Sequence, residues 1–320
     1  MLLGFDIGGT KCAVVLGKKT SPEALSILDK VVLPTTRPVY EMIEAMFATA
    51  EAMLKKNGVA KEELGGVGIS CGGPLSSAAG VILSPPNLPG WDNVSIADMA
   101  AQRFGKKAVL QNDANACAVA EWRYGAGRGC RNMVFLTFGT GMGAGLILNG
   151  TLYTGANDLA GEVGHVRLAG AGPVGFGKAG SFEGFCSGGG IARLAQAIAK
   201  EKMQQGLQLS FCAHVDELPH ITARSVAAAA YNGDAVALDI YKTVATYLGR
   251  GLSSLIDILN PEVIVIGGIY TRAQSLIEPA MTAVIAQEAL PGAYTHCRIV
   301  PALLAEHIGD MAALTLADHN

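Results

Sequence analysis

Asn112 and Asp113 follow the apolar pair Val109-Leu110 and precede an alanine-rich run. That order predicts a strand end, a short turn and a helix start. In an open α/β sheet, ligands bind outside the carboxyl ends of strands. A carboxylate at that point can accept a proton from a bound hydroxyl. Asn and Asp are equally common as helix caps, and this stretch alone leaves both readings open. Phe5-Asp6-Ile7-Gly8-Gly9-Thr10-Lys11 has the parts of a phosphate site. Its glycines let backbone N–H groups approach an anion, Thr10 adds a hydroxyl and Lys11 a charge. It does not follow the G-x-x-x-x-G-K-[ST] pattern. Asp6 at a strand end suits Mg²⁺ held through water. Phe138-Gly139-Thr140-Gly141-Met142-Gly143 offers a second Gly/Thr turn. Each turn alone reads equally as an ordinary hairpin. Two of them in one chain suit two phosphates of one nucleotide. Gly267-Gly268 and Gly188-Gly189-Gly190 offer open backbone for a nucleoside. Glu162 and His165 stand three residues apart, and Glu183 follows in Ser181-Phe182-Glu183-Gly184. Carboxylates, amides and imidazoles are the groups that hydrogen-bond sugar hydroxyls, although a lone His is more often structural.

Two sets of elements must position these groups. Short apolar runs at residues 2–7 and 13–16 predict a hairpin turning at 8–11, and residues 25–33 supply a third strand. Helical spacing marks residues 40–56, 96–104 and 114–124. Strands are expected at 67–70 and 108–111. Three prolines within 85–91 exclude a regular central strand there. The pattern then restarts: a strand at 133–138, the Gly/Thr turn, a return strand at 146–148 and a turn at Asn149-Gly150 toward 151–153. This repetition predicts two similar halves. Residues 161–190 are glycine-rich and aperiodic. Helices are expected at 191–205, 223–232, 235–259, 273–289 and 308–317, with strands at 263–266 and 298–301 and an irregular excursion at 208–220.

The totals agree. The chain has 320 residues, half of them hydrophobic, which predicts two domains with sizeable cores. A formal charge of −3 argues against a nucleic-acid partner. Neither a membrane span nor a signal peptide is expected. Seven scattered cysteines with no C-x-x-C pair predict reduced thiols in the cytoplasm.

Taken together, the motifs resemble the ROK family (repressor, open reading frame, kinase) of the sugar-kinase, hexokinase and actin superfold. The resemblance covers nearly the whole chain. It rests on D-x-G-G-T-K at residues 6–11, N-D-A-N at 112–115, F-G-T-G-x-G-x-G at 138–145, G-E-x-G-H at 161–165 and P-E-V-I-V-I-G-G at 261–268. It implies an α/β, two-lobed actin/hexokinase-like (ribonuclease H-like) fold with an active-site cleft between lobes. The smaller lobe would span 1–113 with the C-terminal helix at about 305–320, and the larger 114–304. The activity implied is transfer of the γ-phosphoryl of ATP, with Mg²⁺, to the 6-hydroxyl of a hexose. Glucose or a glucose-like sugar is the first expectation. Mannose, fructose, allose, N-acetylmannosamine and N-acetylglucosamine are alternatives. Carried over by position, Asp113 is the general base. Asn112, Glu162, His165 and Glu183 bind the sugar, and Gly73 and Asn87 line it. Gly9, Thr10, Lys11, Gly139, Thr140 and Gly141 hold phosphates, with Gly268 beside the nucleoside. A homodimer is the implied assembly.

One departure is plain. The family pattern C-x-C-G-x-x-G-C-x-E, whose cysteines and a His bind zinc, is replaced by Val174-Gly175-Phe176-Gly177-Lys178-Ala179-Gly180-Ser181-Phe182-Glu183. Structural zinc takes four ligands, so no zinc site is expected. Phe176, Phe182 and Phe185 are expected to pack the loop instead, and His165 to serve the sugar alone. After residues 301–304 the family's usual Gly is replaced by Ala305. A second class of function, a sugar-responsive ROK repressor, would need a helix-turn-helix domain ahead of the first strand, and the sequence from Leu2 leaves no room for one. A binding-only pseudokinase is disfavoured by the intact Asp6 and Asp113.

Overall fold

The computed structural model describes residues 1–318, so the last two residues of the expected segment 305–320 lie outside it. The chain forms two compact units. The first comprises Met1–Arg131, Gly145–Ala160 and the chain from Leu303; the second comprises Asn132–Ala144 and Gly161–Ala302. The helix that begins at Asp113, expected in the larger lobe, belongs to the first unit, where it packs against the C-terminal helix.

In the first unit, β1 (Leu2–Ile7), β2 (Lys11–Ser21) and β3 (Ala24–Pro34) form an antiparallel meander. After α1 (Val39–Lys56) comes β4 (Gly66–Cys71), parallel to β1. A small hairpin follows, β5 (Leu75–Ser76) with β6 (Val81–Ile82). Then α2 (Ile96–Phe104) leads to β7 (Ala108–Asn112), parallel to β4, and α3 (Asp113–Tyr124). The sheet order is β3-β2-β1-β4-β7.

The period-2 alternation of β1 sorts its residues onto two faces. Leu3, Phe5 and Ile7 enter the main core with α1 and α2. There Phe5, Phe47 and Phe104 meet with centroids 5.4–6.0 Å apart. Leu2, Gly4 and Asp6 face the other side, where Leu2 packs with Ala13, Val15, Leu314 and Ala317. Gly4 and Gly68 pair across β1 and β4 and let the C-terminal helix lie directly on the sheet. A Cβ on Gly68 would stand 2.0 Å from the Ala313 carbonyl oxygen, and one on Gly4 would stand 2.9 Å from the Ala313 Cβ.

Beyond α3, β8 (Met133–Phe138), β9 (Met142–Leu148) and β10 (Thr151–Tyr153) follow in turn. The expected loop region 161–190 holds a short hairpin, β11 (Val174–Gly175) with β12 (Lys178–Ala179), and one turn of helix, α4 (Phe182–Phe185). Helix α5 (Gly188–Gln204) starts three residues before the expected 191, so Gly188-Gly189-Gly190 is its first turn rather than open backbone. The Ser187 hydroxyl caps it by accepting from the Gly190 N–H at 2.9 Å, which offsets glycine's low helix propensity. Next are α6 (Ala223–Tyr231), α7 (Ala235–Leu259) and β13 (Val263–Ile266). Helix α8 (Ile269–Glu288) begins directly after Gly268 and is kinked at Ala273. A single turn, α9 (Pro291–Tyr294), then β14 (Arg298–Pro301) and α10 (Ile308–Ala317) complete the described chain.

The second sheet has the order β10-β9-β8-β13-β14. Its β13 is parallel to both β8 and β14, and β10 is antiparallel to β9. Each sheet therefore places a meander edge beside a parallel run of three, which is the repetition the sequence predicts. Among the described residues no helix is long and apolar enough to cross a membrane.

Candidate active site

The parallel register of β1, β4 and β7 brings Asp6, Ser70 and Gln111 into one row near the carboxyl ends of the strands. One residue further on, β7 ends at Asn112, and Asp113 opens α3. The Asn112 side-chain oxygen accepts from Ala114 N–H at 3.0 Å and Asn115 N–H at 3.3 Å. Asn112 is therefore the cap. The Gln111 amide oxygen steadies the turn by accepting from Asn112 N–H at 2.7 Å and Asn115 Nδ2 at 3.2 Å.

Asp113 Oδ1 accepts from Ala114 N–H at 2.8 Å. Its side chain is open to solvent at one side, while the surrounding protein withholds enough water to push its pKa above the usual carboxylate value. The N–H groups of Ala114 and of Asp113 itself oppose the rise. Burial also raises Asp6, to about 6, assisted by the negative charges of Asp113 and Asp310; Ser70 and Lys30 pull the other way. Ser70 is buried, and its hydroxyl makes no hydrogen bond among the described residues, so it acts on Asp6 as a nearby dipole. Asp310, in the first turn of α10, is paired with Lys30 at 2.7 Å. Gly309 makes room for Asp6: a Cβ there would stand 2.9 Å from Asp6 Oδ2.

The turn between β1 and β2 closes through Gly8 N–H to the Lys11 carbonyl at 3.1 Å, leaving Gly9, Thr10 and Lys11 exposed. Gly9 lies under the Asn87 backbone, because a Cβ at Gly9 would be 2.3 Å from the Asn87 oxygen. A Cβ at Gly73 would be 3.4 Å from Asn112 Nδ2. The first unit thus collects Asp6, Gly9, Thr10, Lys11, Gly73, Asn87, Asn112 and Asp113 at one end of its sheet.

The second unit gathers the other expected residues. Gly139 N–H donates to the Gly141 carbonyl at 3.1 Å, forming the second Gly/Thr turn, with Thr140 exposed at its tip. Two helix N-termini approach it. Gly188 N–H of α5 donates to the Gly139 carbonyl at 2.7 Å. Gly268, the N-cap of α8 at φ +68°, would carry a Cβ 2.1 Å from the Phe138 oxygen. Helix N-termini favour anions. Glu183 Oε2 accepts from Met142 N–H at 3.1 Å and would touch a Cβ on Gly141 at 2.9 Å. Gly164 allows the 162–165 turn to pack there too, since its Cβ would stand 2.3 Å from the Met142 oxygen and 3.2 Å from Glu183 Cβ. Glu162 and His165 stand 3.8 Å apart, Oε2 to Nε2, and both are half-exposed.

The loop that replaces the cysteine pattern is a tight hairpin. Phe176 and Gly177 hold φ +44° and +74° between β11 and β12, the two positive values a type I′ turn requires. Ser181 is buried and caps α4 by accepting from Gly184 N–H at 3.1 Å. Phe182 and Phe185 are buried as expected. Phe176 is not: it is 68 % exposed and sets its ring against the edge of His165, centroids 4.9 Å apart. A side chain at the tip of a two-residue turn has no core within reach. Among the described residues no group of three or more His, Cys, Asp and Glu could hold a metal ion.

A cavity of about 380 Å³ lies where α6, α7 and the start of α8 meet, lined by Ala223, Arg224, Tyr241, Ile269 and Arg272. Ile269 joins it to the Gly139–Gly141 turn, lying 3.4 Å from where a Gly188 Cβ would be. Sequence reasoning missed Ser70, Gly309 and Asp310 around Asp6. Ser70 is legible as a polar strand end, while α10 offers no motif that points to Asp6.

The ROK family profile matches residues 2–320. The chain is 34% identical to a glucokinase of Halalkalibacterium halodurans over 282 residues, 87% of this chain and 83% of that protein. It is 32% identical to a glucokinase of Thermotoga maritima over 316 residues, 98% and 96% of the two chains. A ROK family glucokinase from Streptomyces griseus, solved in complex with glucose and AMPPNP, superposes with a TM-score of 0.77 and 28% identity, covering 100% of this chain and 99% of that one. The fold is α/β of the actin/hexokinase kind. With the five motifs in order and the profile matched almost end to end, the chain belongs to the ROK family.

Proposed function

We propose that this chain is a hexose kinase that transfers the γ-phosphoryl of ATP to the 6-hydroxyl of glucose or a glucose-like sugar. The observation that carries this reading is Asp113. It follows a strand end, Asn112 performs the capping beside it, and its carboxyl is raised in pKa while still open to solvent. A carboxylate so placed accepts the proton of a sugar hydroxyl as the oxygen attacks phosphorus, and the raised pKa makes it a stronger base. The glucokinase relatives and the glucose complex of the Streptomyces griseus protein support the substrate class.

In this reading Asn112, Glu162, His165 and Glu183 bind sugar hydroxyls, with Gly73 and Asn87 against the ring. Asn112 Nδ2 donates to no protein group among the described residues, which suits it to a sugar oxygen. Gly9, Thr10 and Lys11 hold one part of the triphosphate, and Gly139, Thr140 and Gly141 the other, aided by the N-termini of α5 and α8. The nucleoside lies by Gly268, with its base in the cavity at Ile269. Phosphoryl transfer depends on alignment and charge neutralisation, and these groups supply both. Asp6 is the residue that would hold Mg²⁺, through water. The fit rests on Asp6 itself, a strand-end carboxylate whose pKa is raised chiefly by burial and further by the charges of Asp113 and Asp310, so that a nearby cation would favour its ionised form. Mg²⁺ keeps several waters and takes one or two carboxylates together with phosphate oxygens; when bound it neutralises phosphate charge. The seven buried cysteines suit a reducing cytoplasm, and we take the assembly to be a homodimer, as the family resemblance implies.

A coupled assay of ADP release with ATP, Mg²⁺ and a panel of glucose, mannose, fructose, allose, N-acetylmannosamine and N-acetylglucosamine tests this. Sugar-dependent turnover, fastest with glucose or a close relative, is expected. No turnover with any sugar removes the enzyme reading.

A further inference from the structure

Asp158 lies in the loop after β10, four residues before Glu162 in the chain. Its backbone is left-handed, at φ +60°, a conformation that residues with a Cβ adopt at a cost, Asp and Asn at the smallest. Its neighbours Gly155, Ala156, Asn157 and Leu159 are exposed, so apolar packing does not impose this shape. Two hydrogen bonds do. Asp158 Oδ2 accepts from the Ser77 N–H at 2.8 Å, and Oδ1 accepts from the Ser77 hydroxyl at 2.7 Å. Both carboxylate oxygens therefore grip one residue.

Ser77 occupies the turn of the β5–β6 hairpin, where its carbonyl accepts from Gly80 N–H at 3.3 Å. That hairpin hangs between the two backbone segments assigned to the sugar on the first unit. On one side is Gly73, against Asn112; on the other, the chain passes through Leu83, which donates to the Pro74 carbonyl at 2.9 Å, and reaches Asn87 over Gly9. The far side of the Asp158 loop is closed by Ala160 N–H to the Thr154 carbonyl at 3.1 Å. The next residues in the chain are Gly161 and Glu162.

We propose that Asp158 is a positioning residue for the sugar: by clasping Ser77 it sets the hairpin that carries Gly73 and Asn87. The proposal rests on the hexose kinase reading. A carboxylate accepts from both Ser77 donors with charge-assisted hydrogen bonds. Asn accepts from the Ser77 N–H with its one oxygen and can donate its NH₂ to the Ser77 hydroxyl, so it keeps the clasp in part but loses the charge. Gly removes the clasp but also removes the left-handed strain, so it separates positioning from folding.

The test uses the full chain with Asp158→Gly, Asp158→Asn and Ser77→Ala, measuring KM for the hexose and for ATP, kcat and the melting temperature. Loss of charge-assisted hydrogen bonds predicts a hexose KM about tenfold higher in Asp158→Gly and a smaller rise in Asp158→Asn. The KM for ATP should stay within about twofold, since that change lies below the cost of one lost hydrogen bond. Asp158→Gly combined with Ser77→Ala should be no worse than the glycine variant alone, because both remove the same clasp. An unchanged hexose KM in Asp158→Gly overturns the proposal, as does an equal rise in both KM values. Absence of turnover in the unaltered protein instead overturns the kinase reading on which it rests.

Discussion

Asn112 caps α3 with its side-chain oxygen, at 3.0 Å from Ala114 N and 3.3 Å from Asn115 N, while the neighbouring Asp113 begins the helix. The two residue types that compete for a cap are divided between two tasks here. The division can be tested by substitution. Asn112→Ala should lose about 1 kcal/mol of stability, the usual worth of a cap. Asn112→Asp keeps the accepting oxygen but loses the Nδ2 donor. It should stay near the original stability in urea melts while its hexose affinity falls. Equal sugar affinity in Asn112→Asp would remove the amide from the sugar site.

Asp6 carries a pKa raised from 3.8 to about 6, chiefly by burial. The folded state therefore holds its proton more tightly than the unfolded chain does. Stability from this group is fully present below pH 3.8 and is lost as the pH rises through about 6. At neutral pH the ionised, partly exposed carboxylate costs on the order of 1–3 kcal/mol. Asp6→Asn should thus stabilise the ligand-free protein at pH 7.5 by an amount in that range. The gain should shrink as the pH is lowered from 6 toward 4, while kinase activity is lost throughout. Urea melts across that range check the sign. A gain independent of pH, or a loss at pH 7.5, would contradict the assigned burial of Asp6 beside Asp113 and Asp310.

Gly68 is where α10 rests on the sheet. A methyl group there meets the Ala313 carbonyl oxygen at 2.0 Å and the Ala317 nitrogen at 2.7 Å, both backbone atoms. Neither can rotate away, so Gly68→Ala must lift the helix. Overpacking of this kind costs about 1–3 kcal/mol, and the displaced helix carries Gly309 and Asp310 away from Asp6. We expect a lower melting temperature, faster proteolysis near the C-terminal helix and reduced activity. A variant within about 0.5 kcal/mol of the original, the spread of neutral surface changes, would show that the helix does not sit there in solution.

Zinc content provides a separate check. Val174, Phe176 and Ser181 stand where the family pattern has cysteines, and they form a hairpin tip and a helix cap. Metal analysis of the purified protein should find no stoichiometric zinc, and chelator should leave its melting temperature unchanged. About one tightly bound zinc per chain would mean that four ligands are recruited from elsewhere.

How much of this was legible in the sequence depended on the range of the interaction. The hairpin turns at Gly8–Lys11 and Gly139–Gly141, the helix begun at Asp113 and the repeated halves follow from local period and turn chemistry. Gly188–Gly190 read as open backbone because glycine disfavours helix, yet the residue must be small: a Cβ on Gly190 would stand 2.2 Å from the Gly184 oxygen. Tertiary packing there overrides propensity. Phe176 read as core by residue type, whereas its place at a turn tip leaves it on the surface. Glu121, fully buried, gave no signal at all. Its carboxylate accepts from Ala126 N–H at 2.7 Å and Leu304 N–H at 2.8 Å, the second 183 residues away. The surroundings of Asp6 were likewise hidden, because α10 reaches it from the other end of the chain.

The central claim is that Asp113 accepts the proton of the sugar hydroxyl. Its most direct test is the rate of ADP release by Asp113→Asn with saturating ATP and the best hexose, beside a titration of hexose binding on the same sample. The account predicts turnover lower by about 10²–10⁴-fold, the contribution of a positioned general base, with hexose binding largely intact. Undiminished turnover in Asp113→Asn would contradict it.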